Sequence, residues 1–301
     1  MNPGVNSTNP SITVVLGSYN RRSFLAPTIQ SIRDNGVLVP YEIIVVDGGS
    51  TDGSLNWLSQ QKDVITIIQH NRGSFRGKPV RRRSWGYFMN LAFKSAQGKF
   101  ILMISDDCLL VPGSVMNGLN HFESLLAQGR SVGAVAFYWR NWPDQQDYWV
   151  GLTLGGRMFV NHGMYLRRAA EEVGWIDEER YRFYHADGDL CLKLWQKGYE
   201  VVDCPDAFVE HFCEVKRVTR WGNLDQQKED WTAYLDKWTG VFHVPPVQNT
   251  GGWIYRGYHD PHNTAARFPK RQVAVYLFRR TARTFLKRFA RILRGVGAEK
   301  R

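Results

Sequence analysis

The chain has 301 residues, 43% of them hydrophobic and 22% charged. That is enough for one large domain with a sizeable core, and it excludes collagen, coiled-coil and wholly disordered architectures. The formal net charge of +11 is concentrated: residues 265–301 hold 12 Lys and Arg against one acid, Glu299, and the rest of the chain is balanced. A neutral body with a basic tail argues against a surface coated for nucleic acid, and no nucleic-acid partner is expected.

The first half alternates strand and helix signals. Residues 12–16 form a β-branched run ending at Gly17, and a helix is predicted over 22–34, stopping near Asn35-Gly36. Residues 42–46 are a second apolar run, followed by a polar turn, a short helix and a third run at 64–68. A helix over 84–96 ends at Gly98, residues 100–104 are a fourth strand, and the next helix begins near Pro112, a residue suited to a first turn.

The second half is less regular. Residues 132–139 read as a strand, 139–149 as a Trp- and Asp-rich loop, and 157–168 as a strand or hairpin. A helix over 187–197 is closed by Gly198, a strand occupies 199–202, residues 226–238 are helical, and 245–264 are rich in Gly, Pro and aromatics. Trp139, Trp142, Trp149, Trp253, Tyr255 and Tyr258 fall in these weakly patterned stretches, where they either line a sugar cleft or form satellite core.

Cys108, Cys191, Cys204 and Cys213 are scattered without a CxxC pair, so they read as free buried thiols in a reducing compartment. Residues 1–10 are polar, lack the order of a signal peptide and read as a disordered end. No apolar run approaches the ~18 residues of a membrane span.

Continuous apolar strands alternating with helices indicate a largely parallel sheet covered on both faces. Ligands of such sheets sit beyond the strands' carboxyl ends. Three polar clusters follow strands there: Gly17-Ser18-Tyr19-Asn20, the run from Asp47 to Gly53, and Ser105-Asp106-Asp107. Two carboxylates at a strand end make a hard oxygen site for Mg or Mn, or else a solvated acidic turn. Asp47 is either a ligand contact beside Gly48-Gly49 or a turn-forming Asp. Asp52 reads as a helix cap, and Tyr19 either stacks on a planar base or is simply packed. The basic stretch from Arg76 to Arg83 either clamps phosphate oxygens or is a solvated loop.

Together these segments resemble the inverting family-two glycosyltransferases with the GT-A fold. The run from Val14 to Asn20 is similar to that family's first strand and its "(T/S)-Y-N" ending. The run from Glu42 to Ser54 resembles "EIIVVDDGSTDGS", with Gly48 where a second Asp is usual. Asn90, ahead of Ala96-Gln97-Gly98-Lys99-Phe100, matches the following helix, and Ser105-Asp106-Asp107 occupies the "DxD" position with Ser in place of the first acid. The run from Glu172 to Glu178 resembles "E-x-G-G-F-D-E", that from Ala186 to Leu194 is similar to "E-D-x-D-L-x-x-R-L", Val209-Glu210-His211 matches "v-x-H", and Lys237-Trp238-Thr239-Gly240 is similar to a "K-W-G" ending.

The resemblance implies a mixed, mostly parallel Rossmann-like sheet flanked by helices over residues 11–240. Residues 11–110 would be the nucleotide-sugar half and 111–240 the acceptor half, followed by an aromatic and Gly-rich extension at 241–270 and a basic amphipathic tail at 271–301. It also implies a nucleoside-diphosphate sugar as donor. Ser18, Tyr19, Asn20, Asp47, Asn90 and Asp106 would contact that donor, Asp107 and His211 would hold Mn or Mg, and Asp187 would be the general base. By helical spacing Asp187 and Asp189 point about 200° apart, so Asp189 reads as a structural acid of the first turn. His211 is alternatively a strand-end His bonded to backbone. A second reading is a nucleotide-sugar-binding or membrane-docking scaffold with a decayed site.

The tail has its own pattern. With Phe278 at 0°, Ala282, Phe285, Leu286, Phe289, Ile292 and Leu293 fall on one side of a helix. Arg279, Arg280, Arg283, Lys287, Arg291 and Arg294 fall on the other. Such a helix over 271–294 suits an anionic membrane surface; the alternatives are packing on the body or contact with nucleic acid. The membrane reading makes the protein peripheral on the cytoplasmic face, with a glycan or lipid-linked acceptor.

Overall fold

The structure, a computed structural model, describes residues 10–212, 217–245 and 251–282, with the side chains of all of these except 217–225. The segment expected to be a disordered end lies outside the described residues, Pro10 excepted.

The first half follows its apolar pattern closely. β1 (Ile12–Ser18), α1 (Arg22–Arg33), β2 (Tyr41–Asp47), α2 (Ser54–Leu58) and β3 (Val64–Ile68) come in order. A small exposed hairpin of β4 (Ser74–Phe75) and β5 (Lys78–Pro79) follows, then α3 (Trp85–Ser95) and β6 (Phe100–Met103). β3, β2, β1 and β6 lie side by side and parallel, with Val14 beside both Ile43 and Leu102. These central residues are buried on both faces, which is why the run is apolar throughout and does not alternate.

After β6 the chain turns tightly through Ser105-Asp106-Asp107 into β7 (Cys108–Leu110). α4 (Ser114–Ala127) starts just after Pro112, with Gly113 in the left-handed region at φ 85°. β8 (Val132–Asn141) and β9 (Tyr148–Leu152) follow. The loop expected at 139–149 is therefore shorter: both strands run into it, and Trp139 packs at a tilt against Trp149 across the antiparallel pair with ring centroids 3.7 Å apart. Aromatic cross-strand contact extends the ladder where the polar Asp and Gln residues alone signal a loop.

β10 (Met158–Phe159), β11 (Gly163–Leu166), α5 (Arg167–Glu172), α6 (Ala186–Lys197), β12 (Glu200–His211), α7 (Arg217–Trp238) and β13 (Gly252–Arg256) complete the named elements, and residues 270–282 form a last helix, α8. β11 joins the halves, antiparallel to both β6 and β8. β12 is three times the length predicted for it. It runs parallel to β8, shifts register between Cys204 and Phe208, and then pairs antiparallel with β7. Cys204-Pro205-Asp206 reads as a strand end, but a bulge absorbs the proline and the strand resumes.

A second apolar cluster of Phe24, Leu109, Phe212, Ala265 and Phe268 takes Val273 and Tyr276 of α8 against it. The first turns of the tail thus pack on the body, and Arg280 pairs with Asp144 at 3.0 Å. Phe278, about 170° round the helix from the packed side at 100° per residue, is 75% exposed. The remainder of the predicted amphipathic stretch, 283–294, lies outside the described residues. Among the described residues no helix is long and apolar enough to cross a membrane.

Candidate active site

The three polar clusters do meet along one sheet edge, and each is built by local chemistry. At the end of β2, Asp47 is fully buried and accepts from Gly49 N–H, Ser50 N–H and Ser50 Oγ–H at 2.6–2.8 Å. That is the turn-forming alternative: its carboxylate is committed to its own loop. Asn20, at φ 53°, accepts from Thr51 N–H at 2.7 Å and donates its backbone N–H to Ser50 Oγ, which ties the end of β1 to the same loop. Tyr19 lies against Gly48, where a Cβ would come within 3.0 Å of its ring. The glycine in place of the family's second Asp is what admits that ring, and Arg72 lies 5.7 Å from the ring centroid. Asp52 receives Ser54 N–H and the Arg22 N–H, so it caps α1 as well as α2.

The acidic turn after β6 is enclosed: Asp106 and Asp107 are both buried. Arg21, a residue without a role in the sequence reading, reaches both, with NH2 2.7 Å from Asp107 Oδ2 and Nε 3.3 Å from Asp106 Oδ1. Burial pushes the Asp106 carboxyl up, and the neighbouring Asp107 charge acts in the same direction. Burial also opposes ionisation of Asp107, but Arg21 and His211 outweigh it and hold that carboxyl below the usual range. The pair therefore divides its roles, one ionised oxygen donor and one carboxyl disposed to keep a proton.

His211 arrives through long-range pairing. It sits opposite Cys108 in the β7–β12 ladder, and Phe212 N–H donates to Asp107 O at 3.0 Å. Its Nδ1 lies 2.7 Å from Asn141 Oδ1 and carries the proton of that pair, and its Nε2 lies 3.4 Å from Asp107 Oδ1. With a proton on Nε2 the imidazolium pairs with Asp107; with that proton released, Nε2 and the carboxylate oxygen face one position and would suit a divalent ion between them. Cys108 completes a group of three whose ligand atoms lie within 4.8 Å of one another. Burial pushes its thiol well up, so sulfur stays protonated and is a poor ligand for Mn or Mg. Behind it, His162 is buried at 3.6 Å from the Cys108 sulfur and driven down to about 3 by desolvation, then by His211. It is a neutral wall of the site.

Asp187 and Asp189 separate as the helical wheel requires. Asp189 is fully buried, accepting from Tyr181 Oη–H, Trp238 Nε1–H and the Lys237 ammonium at 2.9 Å each. Asp187 is partly exposed on the first turn of α6, accepting from Gly188 N–H at 2.8 Å and Asn161 Nδ2–H at 3.1 Å. Desolvation raises its pKa while those two donors oppose the rise. The loop leading into α6 is pinned from α7: Asp230, buried, accepts from the backbone N–H groups of Arg182, Phe183 and Tyr184 at 2.7–2.8 Å.

Asn90, expected at the donor, has both ends of its amide engaged within the protein. Its Nδ2 donates to Ile176 O at 2.8 Å and Glu178 Oε1 at 2.7 Å, and its Oδ1 accepts from Ile176 N–H. Both ends of the amide hold the 176–178 turn against α3. Ser18 is buried at the end of β1, where its hydroxyl bears on Asp106. The stretch from Arg76 to Arg83 takes in the turn and second strand of the exposed hairpin, and Asn71 Oδ1 accepts from Arg83 N–H. Of the weakly patterned aromatics, Trp139 and Trp149 are core and Tyr258 stacks on Phe208 at 3.9 Å, whereas Trp253 and Tyr255 are 52% and 62% exposed.

Sequence reasoning missed Arg21, Asn141, Asn161 and His162. No spacing rule links them to the acids, because each is brought in by a strand or loop distant in the chain.

The matches with known proteins agree with this geometry. Residues 13–174 match the model of glycosyl transferase family 2. The chain is 24% identical over 284 residues to the O-antigen chain rhamnosyltransferase RfbN of Salmonella typhimurium, covering 88% of this chain and 81% of that one. It spans 24% of the length of another relative, an uncharacterized protein of Sinorhizobium fredii. Among solved structures it is similar to the mannosyltransferase PcManGT of Pyrobaculum calidifontis in complex with GDP-Man and Mn2+ (TM-score 0.53, 18% identity, 76% of this chain and 65% of that one). It is also similar to S. aureus TarS 1-349 in complex with UDP-GlcNAc (TM-score 0.54, 13% identity, 77% and 68%). These likenesses carry the GT-A fold, and the family match covers more than half of the chain: it belongs to glycosyl transferase family 2.

Proposed function

We propose that this chain transfers a sugar from a nucleoside-diphosphate sugar to an acceptor hydroxyl, with inversion at the anomeric carbon. Asp107 and His211 would hold a divalent ion, Mn or Mg, and Asp187 would be the general base. The observation that carries the reading is the opposition of Asp107 Oδ1 and His211 Nε2 at the strand ends, with Asn141 behind the imidazole. The GDP-Man and Mn2+ bound by the mannosyltransferase neighbour support the ligand class.

A bound divalent ion supplies charge neutralisation on the departing diphosphate. The chain's own residues do the rest. Arg21 holds Asp107 Oδ2, so the other oxygen is left to face the metal position. Tyr19 offers a ring face for the base, with Ser18 and Asn20 shaping its loop. Asp187 takes the acceptor's proton as the hydroxyl attacks from the opposite face of the sugar.

Titration calorimetry with GDP-mannose and UDP-N-acetylglucosamine, each with and without Mn, tests the donor site. Metal-dependent binding is expected with at least one nucleotide sugar, and Asp107→Ala should weaken it by about tenfold or more, the scale on which even metal-site supporting residues act. Absence of binding under every condition favours the scaffold reading.

The acceptor is proposed to be a glycan, free or lipid-linked, met at an anionic membrane surface through residues 271–294. Phe278 supports this: it projects from α8 on the side away from the body. Truncation after residue 282 keeps the packed turns and removes seven Lys and Arg. At about 1 kcal/mol per basic residue near an anionic surface, sedimentation with phosphatidylglycerol vesicles should fall by at least about 100-fold, with nucleotide-sugar binding unchanged. Equal sedimentation of the two proteins rejects the membrane contact.

A further inference from the structure

Asn161 lies in the loop between β10 and β11, 26 residues before Asp187, and reaches its carboxylate from the side opposite the helix backbone. Gly188 N–H occupies Asp187 Oδ1 and Asn161 Nδ2–H occupies Oδ2, so each oxygen has one donor and keeps lone-pair directions for a substrate proton. The other half of the Asn161 amide is in an unusual state. Its Oδ1 is buried and has no hydrogen-bond partner among the described residues. A bare buried carbonyl oxygen destabilises the fold and calls for a reason.

Among the described residues no cation forms an ion pair with Asp187. Tyr165, Cys191 and Tyr234 are titratable groups that bear on it electrostatically. Tyr165 Oη–H donates to Val160 O at 3.2 Å, Tyr234 Oη pairs with Thr153 Oγ1 at 2.6 Å, and Val160 N–H donates to Cys191 Sγ. Burial pushes all three well up, so all three stay neutral. Among the described residues the one side-chain donor on the carboxylate is Asn161.

We propose that Asn161 is a positioning residue for the general base: it fixes the orientation of the Asp187 carboxylate through Nδ2 and is kept for that purpose although its own carbonyl oxygen goes without a partner. The inference rests on Asp187 being the base. In the step served, the acceptor O–H bond breaks and its proton passes to Asp187. The acceptor oxygen bonds to the anomeric carbon as the bond from that carbon to the diphosphate breaks, its electron pair leaving with the diphosphate.

The test is a carbon-13 carboxyl titration of the labelled full chain, with the Asp187 signal assigned by its loss in Asp187→Asn, in wild type, Asn161→Ala and Asn161→Asp. Removing a hydrogen bond to the charged form should move the Asp187 midpoint up by about one to two pH units in Asn161→Ala, and a second carboxylate in Asn161→Asp should move it further. Urea unfolding of Asn161→Ala should show stability close to wild type, since loss of the hydrogen bond to the ionised carboxylate and removal of the bare oxygen act in opposite directions. Midpoints that coincide with wild type in both variants overturn the proposal, and so does a large loss of stability in Asn161→Ala, which would make the residue a structural one. Undiminished sugar transfer by Asp187→Asn, whatever the titrations give, instead overturns the assignment of the base.

Discussion

Replacing Asp187 by Asn should lower sugar transfer by about 10²- to 10⁴-fold, the usual worth of a positioned general base, while nucleotide-sugar binding in the presence of Mn stays within about twofold of wild type. The variant keeps the size of the side chain and its place on the first turn of α6, so the fold has little reason to change. What it loses is the ability to take a proton. Desolvation raises the Asp187 pKa, which brings the base closer to the acceptor proton it must remove. The pH dependence follows in sign: the base works ionised, so transfer rises with pH through the Asp187 pKa, and the acid limb lies above that of an ordinary carboxylate. Stopped-assay measurement of released nucleoside diphosphate over pH checks both points. Turnover equal to wild type in Asp187→Asn would remove Asp187 from the mechanism.

Two residues along the same helix, Asp189→Ala should act on the fold and not on the chemistry. Asp189 is fully buried and receives Tyr181 Oη–H, Trp238 Nε1–H and the Lys237 ammonium, which also lies 3.2 Å from Asp177 Oδ2. Truncation leaves a phenol, an indole N–H and a cation without their shared acceptor. Breaking a buried ion pair from one side costs about 3–5 kcal/mol, a large part of the 5–15 kcal/mol that typically holds a domain together. Urea unfolding should show that loss, with a weaker attachment of α7 to α6. A change below about 1 kcal/mol would mean that Lys237 and Trp238 find other partners, and that the two ends of the family resemblance are not joined through Asp189.

The contrast between these two acids shows what the sequence can separate. Helical spacing sets Asp187 and Asp189 on different sides of α6, while the choice of Asp187 as the base, and so of Asp189 as the structural acid, comes from the family resemblance. It does not supply the partner, because Lys237 and Trp238 lie 48 and 49 residues onward. Several stretches that resemble the family turn out to bind one another. Asn90 on α3 holds the Ile176 backbone and the Glu178 carboxylate, and Gly86 lies so close to Asp177 that a Cβ would meet its carbonyl oxygen at 2.5 Å. A residue pattern cannot distinguish such a contact from a ligand contact.

β1, β2 and β6 were legible because each is buried on both faces and carries a continuous apolar run of about the right length; β3 carries such a run at the sheet edge, with Ile65 and Ile68 exposed. The switch to the polar clusters at their carboxyl ends is likewise a local event, written in consecutive residues. The amphipathic pattern of the tail and the concentration of charge in it are also properties of the sequence alone. The tertiary structure decided the rest. It extended β8 and β9 through Trp139 and Trp149 and carried β12 past Pro205 to place His211 opposite Cys108. It also packed Val273 and Tyr276 on the body with Phe278 left outside. The physical reason is the same in each case. Apolar periodicity and turn chemistry act over a few residues and are recorded where they act, whereas the pairing of β12 with β7, the reach of Arg21 to two acids and the grip of Asn161 on Asp187 are contacts across 26 to 103 residues, set by how the buried elements pack.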